Sequence, residues 1–220
     1  MRIWVTAFAL LAVVGIAALS WSMMSVPSPS EADRIAAALA PTGPSAAPAA
    51  YAPCASCHLH DGSGRPDGSI PRLSGQRQSV LENKLHRLRS GMMRLPVMDP
   101  FARTLAPEDI TQIARYLSQL PELAVPSNEV SPAEHAQGAS LYAQHCASCH
   151  GAAGEGQDGI FASRLCGQYA GYLNRRLAEA AAKSRGDADA IMQGVVDLVP
   201  SHQLGPIVGW LAEGRGCQAP

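Results

Sequence analysis

The chain has 220 residues, a formal net charge of −1, 16% charged residues and 47% hydrophobic ones, of which alanine alone supplies 37 positions. The near-zero charge argues against a nucleic-acid binder, which is usually basic, and the apolar content is too high for a wholly disordered chain. Aromatics make up only 5%, and eight of them serve everything after residue 26; two small domains built from Ala, Leu and Val would be marginal, so something besides side chains is expected to fill the core.

Met1 and Arg2 precede an apolar run from Ile3 to Leu19 that continues to Val26. At ~1.5 Å per residue this run reaches ~36 Å, enough to cross a bilayer core of ~30 Å. A retained anchor over residues 1–26 is expected, with a cleavable signal peptide as the alternative, since Ala18, Ser20 and Ser22 supply small residues for cleavage. Both readings export the rest of the chain. Residues 27–50 read as an Ala/Pro-rich tether: Pro27, Pro29, Pro41, Pro44 and Pro48 remove backbone donors and favour extended chain. A short helix from Glu31 to Ala40 is expected within it.

Cys54-Ala55-Ser56-Cys57-His58 follows, with Pro48 and Pro53 interrupting any helix ahead of it. Val80, Leu81, Lys84, Leu85 and Leu88 share one face at helical spacing. Pro107 opens another helix, with Glu108 and Asp109 in its first turn, running to about Leu120. Ser131-Pro132 is a cap and first-turn pair for a helix that carries Leu141 and Tyr142 into Cys146-Ala147-Ser148-Cys149-His150. Gly205, Pro206 and Gly209 point to a short or broken last helix. No alternating strand pattern of useful length is present.

The two motifs lie 92 residues apart, and the same offset aligns Leu73-Ser74-Gly75-Gln76 with Leu165-Cys166-Gly167-Gln168, Leu81 with Leu173 and Leu85 with Leu177. With two inserted residues, Met98 aligns with Met192 and Tyr116 with Trp210. An ordered series in two halves means duplicated domains, 51–125 and 126–220.

C-x-x-C-H is the attachment signature of a c-type haem. Cys54 and Cys57, and again Cys146 and Cys149, can add to the two vinyl groups of one porphyrin, placing His58 or His150 against the iron. A dithiol redox motif or a zinc site would explain the cysteines but not the histidine after both copies. A thioether as sixth ligand suits an electron-transfer haem and raises its potential. Met98 and Met192 hold equivalent places in the repeat, which selects Met98 over Met92 and Met93, with His202 as the alternative in the second half. His60, His86, His135 and His145 are expected at the surface. The ligating histidine needs a carbonyl for its other nitrogen; the loop Ile70-Pro71-Arg72-Leu73 is the expected source in the first half, with Ser163 at the Pro71 position in the second.

On the two CASCH motifs, Pro71-Arg72-Leu73-Ser74-Gly75-Gln76, Arg89-Ser90-Gly91 ahead of Met98, Gly138-Ala139-Ser140-Leu141-Tyr142 and Leu165-Cys166-Gly167-Gln168, the sequence resembles the dihaem cytochromes c4 over about 51–220. The resemblance implies an all-α chain of two tandem class I cytochrome c domains, each wrapped around one covalent haem, behind the N-terminal hydrophobic helix. It implies Met98 and Met192 as distal ligands and haems close enough to exchange electrons. It also implies a carrier on the periplasmic side of the membrane, served by a quinol-oxidising complex or a dehydrogenase and emptied by a terminal oxidase.

Cys166 and Cys217 have no counterparts in the first half. In an exported protein a disulfide between them is expected; two buried thiols, or Cys166 as a distal haem ligand, are the alternatives. Residues 51–125 carry an excess of two positive charges and residues 131–220 an excess of two negative ones, an asymmetry that either orients redox partners or reflects solvated helix faces. Two saturated irons would leave no open position for a substrate, so the expected role is single-electron relay by two haem c groups rather than catalysis. A dedicated cytochrome subunit of a membrane-bound complex and a dihaem enzyme remain the alternatives.

Overall fold

A computed structural model describes residues 46–121, 130–183 and 190–214. The expected anchor, most of the tether with its helix from Glu31 to Ala40, the junction between residues 125 and 126, and Cys217 lie outside the described residues. Among the described residues no helix is long and apolar enough to cross a membrane.

The first half begins with a single 3-10 turn, Ala49–Tyr51, that runs into α1 (Ala52–His58). Pro53 does not disrupt α1 because it sits in the first turn, where no intrahelical donor is needed. Next come α2 (Gln78–Ser90), the short α3 (Asp99–Ala102) and α4 (Pro107–Gln119). The apolar face expected on α2 is present: Val80, Leu81 and Leu88 are buried. α4 starts where the proline signal places it, and the Asp109 carboxylate accepts from the Ala106 N–H at 3.0 Å. α2 packs on α4, and their contact joins Tyr51, Ala55, Leu81, Ile113, Ala114, Tyr116 and Leu117 in one apolar cluster.

The second half has a full helix ahead of its motif. α5 (Pro132–His145) is closed at its start by a reciprocal cap: Ser131 Oγ accepts from the Glu134 N–H, and the Glu134 carboxylate accepts from the Ser131 N–H. α6 (Ala147–His150), α7 (Ala170–Ala181), α8 (Ala190–Leu198) and α9 (Ser201–Glu213) complete it. The only strand-like feature among the described residues is an isolated bridge between Gln157 and Ala162.

The last helix is not short or broken: α9 runs unbroken through Pro206. The proline removes one backbone donor, but packing on α5 compensates. A Cβ on Gly138 of α5 would stand 2.3 Å from the Pro206 carbonyl oxygen and 2.7 Å from Trp210 Cβ, so the bare backbone at Gly138 is what lets the two helices close. Ile207, Val208, Trp210, Leu211 and Ala212 are buried as a result. His135 is also not a plain surface residue, since its Nδ1 lies 2.5 Å from the buried Glu213 carboxylate at the far end of the same helix pair.

One tyrosine anchors each half. Tyr142 on α5 stacks on Trp210 with ring centroids 4.6 Å apart and donates to the Gly151 carbonyl. In the first half, which has only a turn before its motif, the Tyr51 ring packs tilted by 56° against Tyr116 with centroids 5.4 Å apart, and its hydroxyl donates to the Leu59 carbonyl. Leu59 and Gly151 are equivalent at the 92-residue offset, so two different local structures deliver the same hydrogen bond.

That carbonyl position carries a conformational cost in the first half. Gly151 has φ 83° and Leu59 has φ 64° with an extended ψ, a region that suits glycine. Leu59 is 45% exposed and gains little burial in return. Leu59→Gly is therefore expected to stabilise the folded protein by about 1 kcal/mol, read as a higher urea midpoint at unchanged slope. An unchanged or lower midpoint would show that Leu59 is not strained.

All described residues fall in a single contact unit, so the two halves pack directly on each other. Their contact is polar and repeats itself. Arg72 N–H donates to Gln168 Oε1 at 3.0 Å, and Gln168 Nε2 donates back to the Arg72 carbonyl at 3.0 Å. At the offset of 92, Arg164 N–H donates to Gln76 Oε1 at 2.8 Å, and Gln76 Nε2 donates to the Arg164 carbonyl at 3.0 Å. Arg77 pairs with Asp158, Ser79 Oγ donates to Asp158, and Arg175 reaches the Gly68 and Ser69 carbonyls.

Candidate haem centres

Both CASCH segments form short helices whose last residue is the histidine, and both histidines are buried. His58 Nδ1 donates to the Pro71 carbonyl at 3.1 Å, and His150 Nδ1 donates to the Ser163 carbonyl at 2.8 Å; each acceptor lies thirteen residues beyond its histidine. These are the carbonyls expected from the sequence, and replacing Pro71 by serine leaves the backbone acceptor in place. With Nδ1 occupied, Nε2 is the ring nitrogen left for a metal. Burial pushes the pKa of both imidazoles down, only partly opposed by the carbonyl contacts. They therefore stay neutral, as a ligand must.

The four motif cysteines form no disulfide. Burial raises the pKa of Cys54, and burial first, then the neighbouring Cys149, pushes Cys146 up to about 11. Dithiol redox sites do the opposite, depressing a thiol to hold a reactive thiolate. Among the described residues no group of three or more His, Cys, Asp or Glu is placed to hold a metal ion. The arrangement fits a porphyrin. A neutral, oriented imidazole and two thiols lie on or beside one short helix in each half. Beside Cys54 a cavity of about 280 Å³ opens, lined by Ala50, Pro53, Phe101, Thr104 and Leu105. Its far wall is α3, the helix that begins immediately after Met98.

Met98 is half-buried and packs against Leu88, Met93 and Ala102. Met93 lies deeper, 4% exposed, and Met92 points outward at 66%. In the second half Met192 is half-buried near the start of α8, whereas His202 is exposed on α9. Cys166 is buried and disulfide-bonded, so it is neither a free thiol nor available as a thiolate ligand.

The sequence compares in the same sense. Residues 135–202 match the family model described as cytochrome c. The thiosulfate dehydrogenase electron acceptor of Thiomonas intermedia is 30% identical over 79% of this chain and 83% of its own length. This chain belongs to the class I cytochromes c of the c4 type. Cytochrome c4 of Pseudomonas aeruginosa is 26% identical over 72% of the chain and 82% of that protein. The crystal structure of reduced recombinant cytochrome c4 from Pseudomonas stutzeri superposes with a TM-score of 0.64 at 26% identity, covering 74% of this chain and 94% of that one. The cytochrome thus has the helical two-domain fold expected from its repeat, it binds haem c covalently through CxxCH, and its relatives are electron-transfer proteins.

Two features of the cytochrome's centres went unread in its sequence. Tyr51 escaped because it aligns with Tyr142 at an offset of 91 rather than 92, the register shift of a turn replacing a helix. The exchange of Arg72 with Gln168 and of Arg164 with Gln76 escaped because alignment shows that these residues are equivalent, not that each half's glutamine crosses to the other half. The repeat does hold a signal for it: polar residues duplicated in register next to the carbonyl that holds the ligand histidine.

Proposed function

We propose that this cytochrome carries two haems and relays single electrons on the periplasmic side of the membrane, filled by a dehydrogenase and emptied by a terminal acceptor such as an oxidase. The observation that carries the reading is the duplicated constellation of two thiols, a buried neutral histidine and a backbone acceptor thirteen residues on. Each haem, when bound, supplies a one-electron iron couple. Cys54 and Cys57 would hold the first and Cys146 and Cys149 the second, with His58 and Met98, and His150 and Met192, as the residues that would ligate the two irons. Ligation by these side chains would keep substrate and oxygen away from iron, which favours electron transfer over chemistry on a bound molecule. Cys166 is joined to Cys217, tying the end of the chain to the loop behind His150. Residues 1–26 hold the protein at the membrane.

The relative named as an electron acceptor supports a thiosulfate dehydrogenase as donor. Mixing the oxidised full-length cytochrome with catalytic amounts of that dehydrogenase and thiosulfate is expected to reduce two haems per chain, with neither haem binding carbon monoxide. Reduction by thiosulfate without the dehydrogenase, or carbon monoxide binding by the untreated protein, would overturn the relay in favour of an enzyme. Reduction by a quinol-oxidising complex but not by the dehydrogenase would replace the donor.

A further inference from the structure

The reciprocal contact between the halves touches the backbone at an unusual place. Pro71 C=O and Arg72 N–H belong to one planar peptide unit. Its oxygen accepts from His58 Nδ1, and its N–H donates to Gln168 Oε1 of the other half at 3.0 Å. In the second half the Ser163–Arg164 peptide accepts from His150 at 2.8 Å and donates to Gln76 Oε1 of the first half at 2.8 Å. Each glutamine amide is held in place by donating to the carbonyl of the same arginine, and Gln168 is buried, 8% exposed. Arg72 fixes the pairing further by donating from Nη1 to the Gly167 carbonyl at 2.8 Å.

We infer that Gln168 is a positioning residue for the first haem's histidine and Gln76 for the second's, each acting across the domain contact through a single peptide group. Hydrogen bonds in series polarise one another. An acceptor on the N–H side makes the carbonyl oxygen of the same peptide more negative, so it draws harder on the histidine Nδ1 proton. A more basic imidazole stabilises ferric over ferrous iron. Each half therefore lowers the potential of the haem in the other half, and separating or tilting the halves would raise both potentials together. The inference rests on the proposed ligation by His58 and His150.

The test compares the full-length dihaem protein with Gln168→Leu and Gln76→Leu, following each haem by its own methyl resonances during a redox titration, and each ligand histidine by its ring N–H proton. Gln168→Leu is expected to weaken the His58 ring hydrogen bond and shift electron sharing about threefold towards the first haem, leaving the His150 proton unchanged. Gln76→Leu is expected to do the reverse, and as a separate arm on a less buried residue it stands if the first variant folds poorly. Gln168→Glu, which keeps the acceptor oxygen, is expected to keep the His58 ring proton shifted as in the parent. Shifts confined to the haem of the mutated half, or no shift in variants that retain two haems and the parent helical signal, would overturn the inference. A parent protein lacking two low-spin haems with histidine ligands would instead overturn the proposed function.

Discussion

Preventing haem attachment, by replacing Cys54, Cys57, Cys146 and Cys149 with Ala together, is expected to leave the chain without its native helical circular dichroism and without a cooperative melt. The reason begins in the composition. Among the described residues the large side chains less than 2% exposed are Tyr51, Val80, Ile110 and Leu117 in the first half and Tyr142 in the second. Beside Cys54 the first half alone leaves a cavity of about 280 Å³ with no protein atom to fill it. Without a porphyrin seated there its apolar lining stays in water and forfeits ~25 cal/mol per Å² of burial, against the ~5–15 kcal/mol by which a whole domain is typically stable. The short α1 and α6 add no compensating stability, because helices of that length are not stable without tertiary partners. The second half keeps the tight α5–α9 crossing at Gly138, so whatever helix survives should reside there. A haem-free chain with the native spectrum and a sharp melt would show that side chains suffice, and the explanation of the low aromatic content would fall with it.

What could be read in advance divides along a physical line. Chemistry that depends on adjacent residues is local and was legible: the thiol pairs, the histidine next to them, the carbonyl loop thirteen residues on, and the proline and serine signals that open α4 and α5. The correspondence of Tyr116 with Trp210 survives in space, since each stacks on the tyrosine that braces its motif. Features that depend on a distant neighbour were not legible. Pro206 and its flanking glycines argue for a broken helix only if α9 is considered alone, and Gly138, nearly seventy residues earlier, is what lets packing keep that helix whole. His135 looks like any solvent-facing histidine until Glu213 is brought alongside it. The arginine–glutamine exchange is the sharpest case, since the repeat marks its members but only the docking of the halves decides which partner each one takes.

Met192→Ala is expected to convert the second haem from low-spin to high-spin and make it bind carbon monoxide, with a fall in potential on the order of a hundred millivolts within the ~0.8 V range that axial ligands command. Met98→Ala should do the same to the first. The second half gives the cleaner experiment, because it contains no other methionine that could take over. In the first half Met93 shares a cluster with Met98, and Met93→Leu is the control expected to leave spectrum and potential unchanged, its role being to fill space behind the ligand loop. Met98 sits at the residue that opens α3, where Leu95 N–H donates to the Asp99 carboxylate at 2.9 Å and fixes the turn around it. Met192 lies instead within the regular helix α8, which packs against α7. Met192→His separates ligation from packing: a second imidazole is expected to keep the iron low-spin and still lower the potential, because a thioether ligand raises the potential and an imidazole does not. An unaltered spectrum in Met192→Ala, with His202→Ala losing the low-spin signal, would transfer the sixth position to His202 and require α9 to carry that exposed histidine inward.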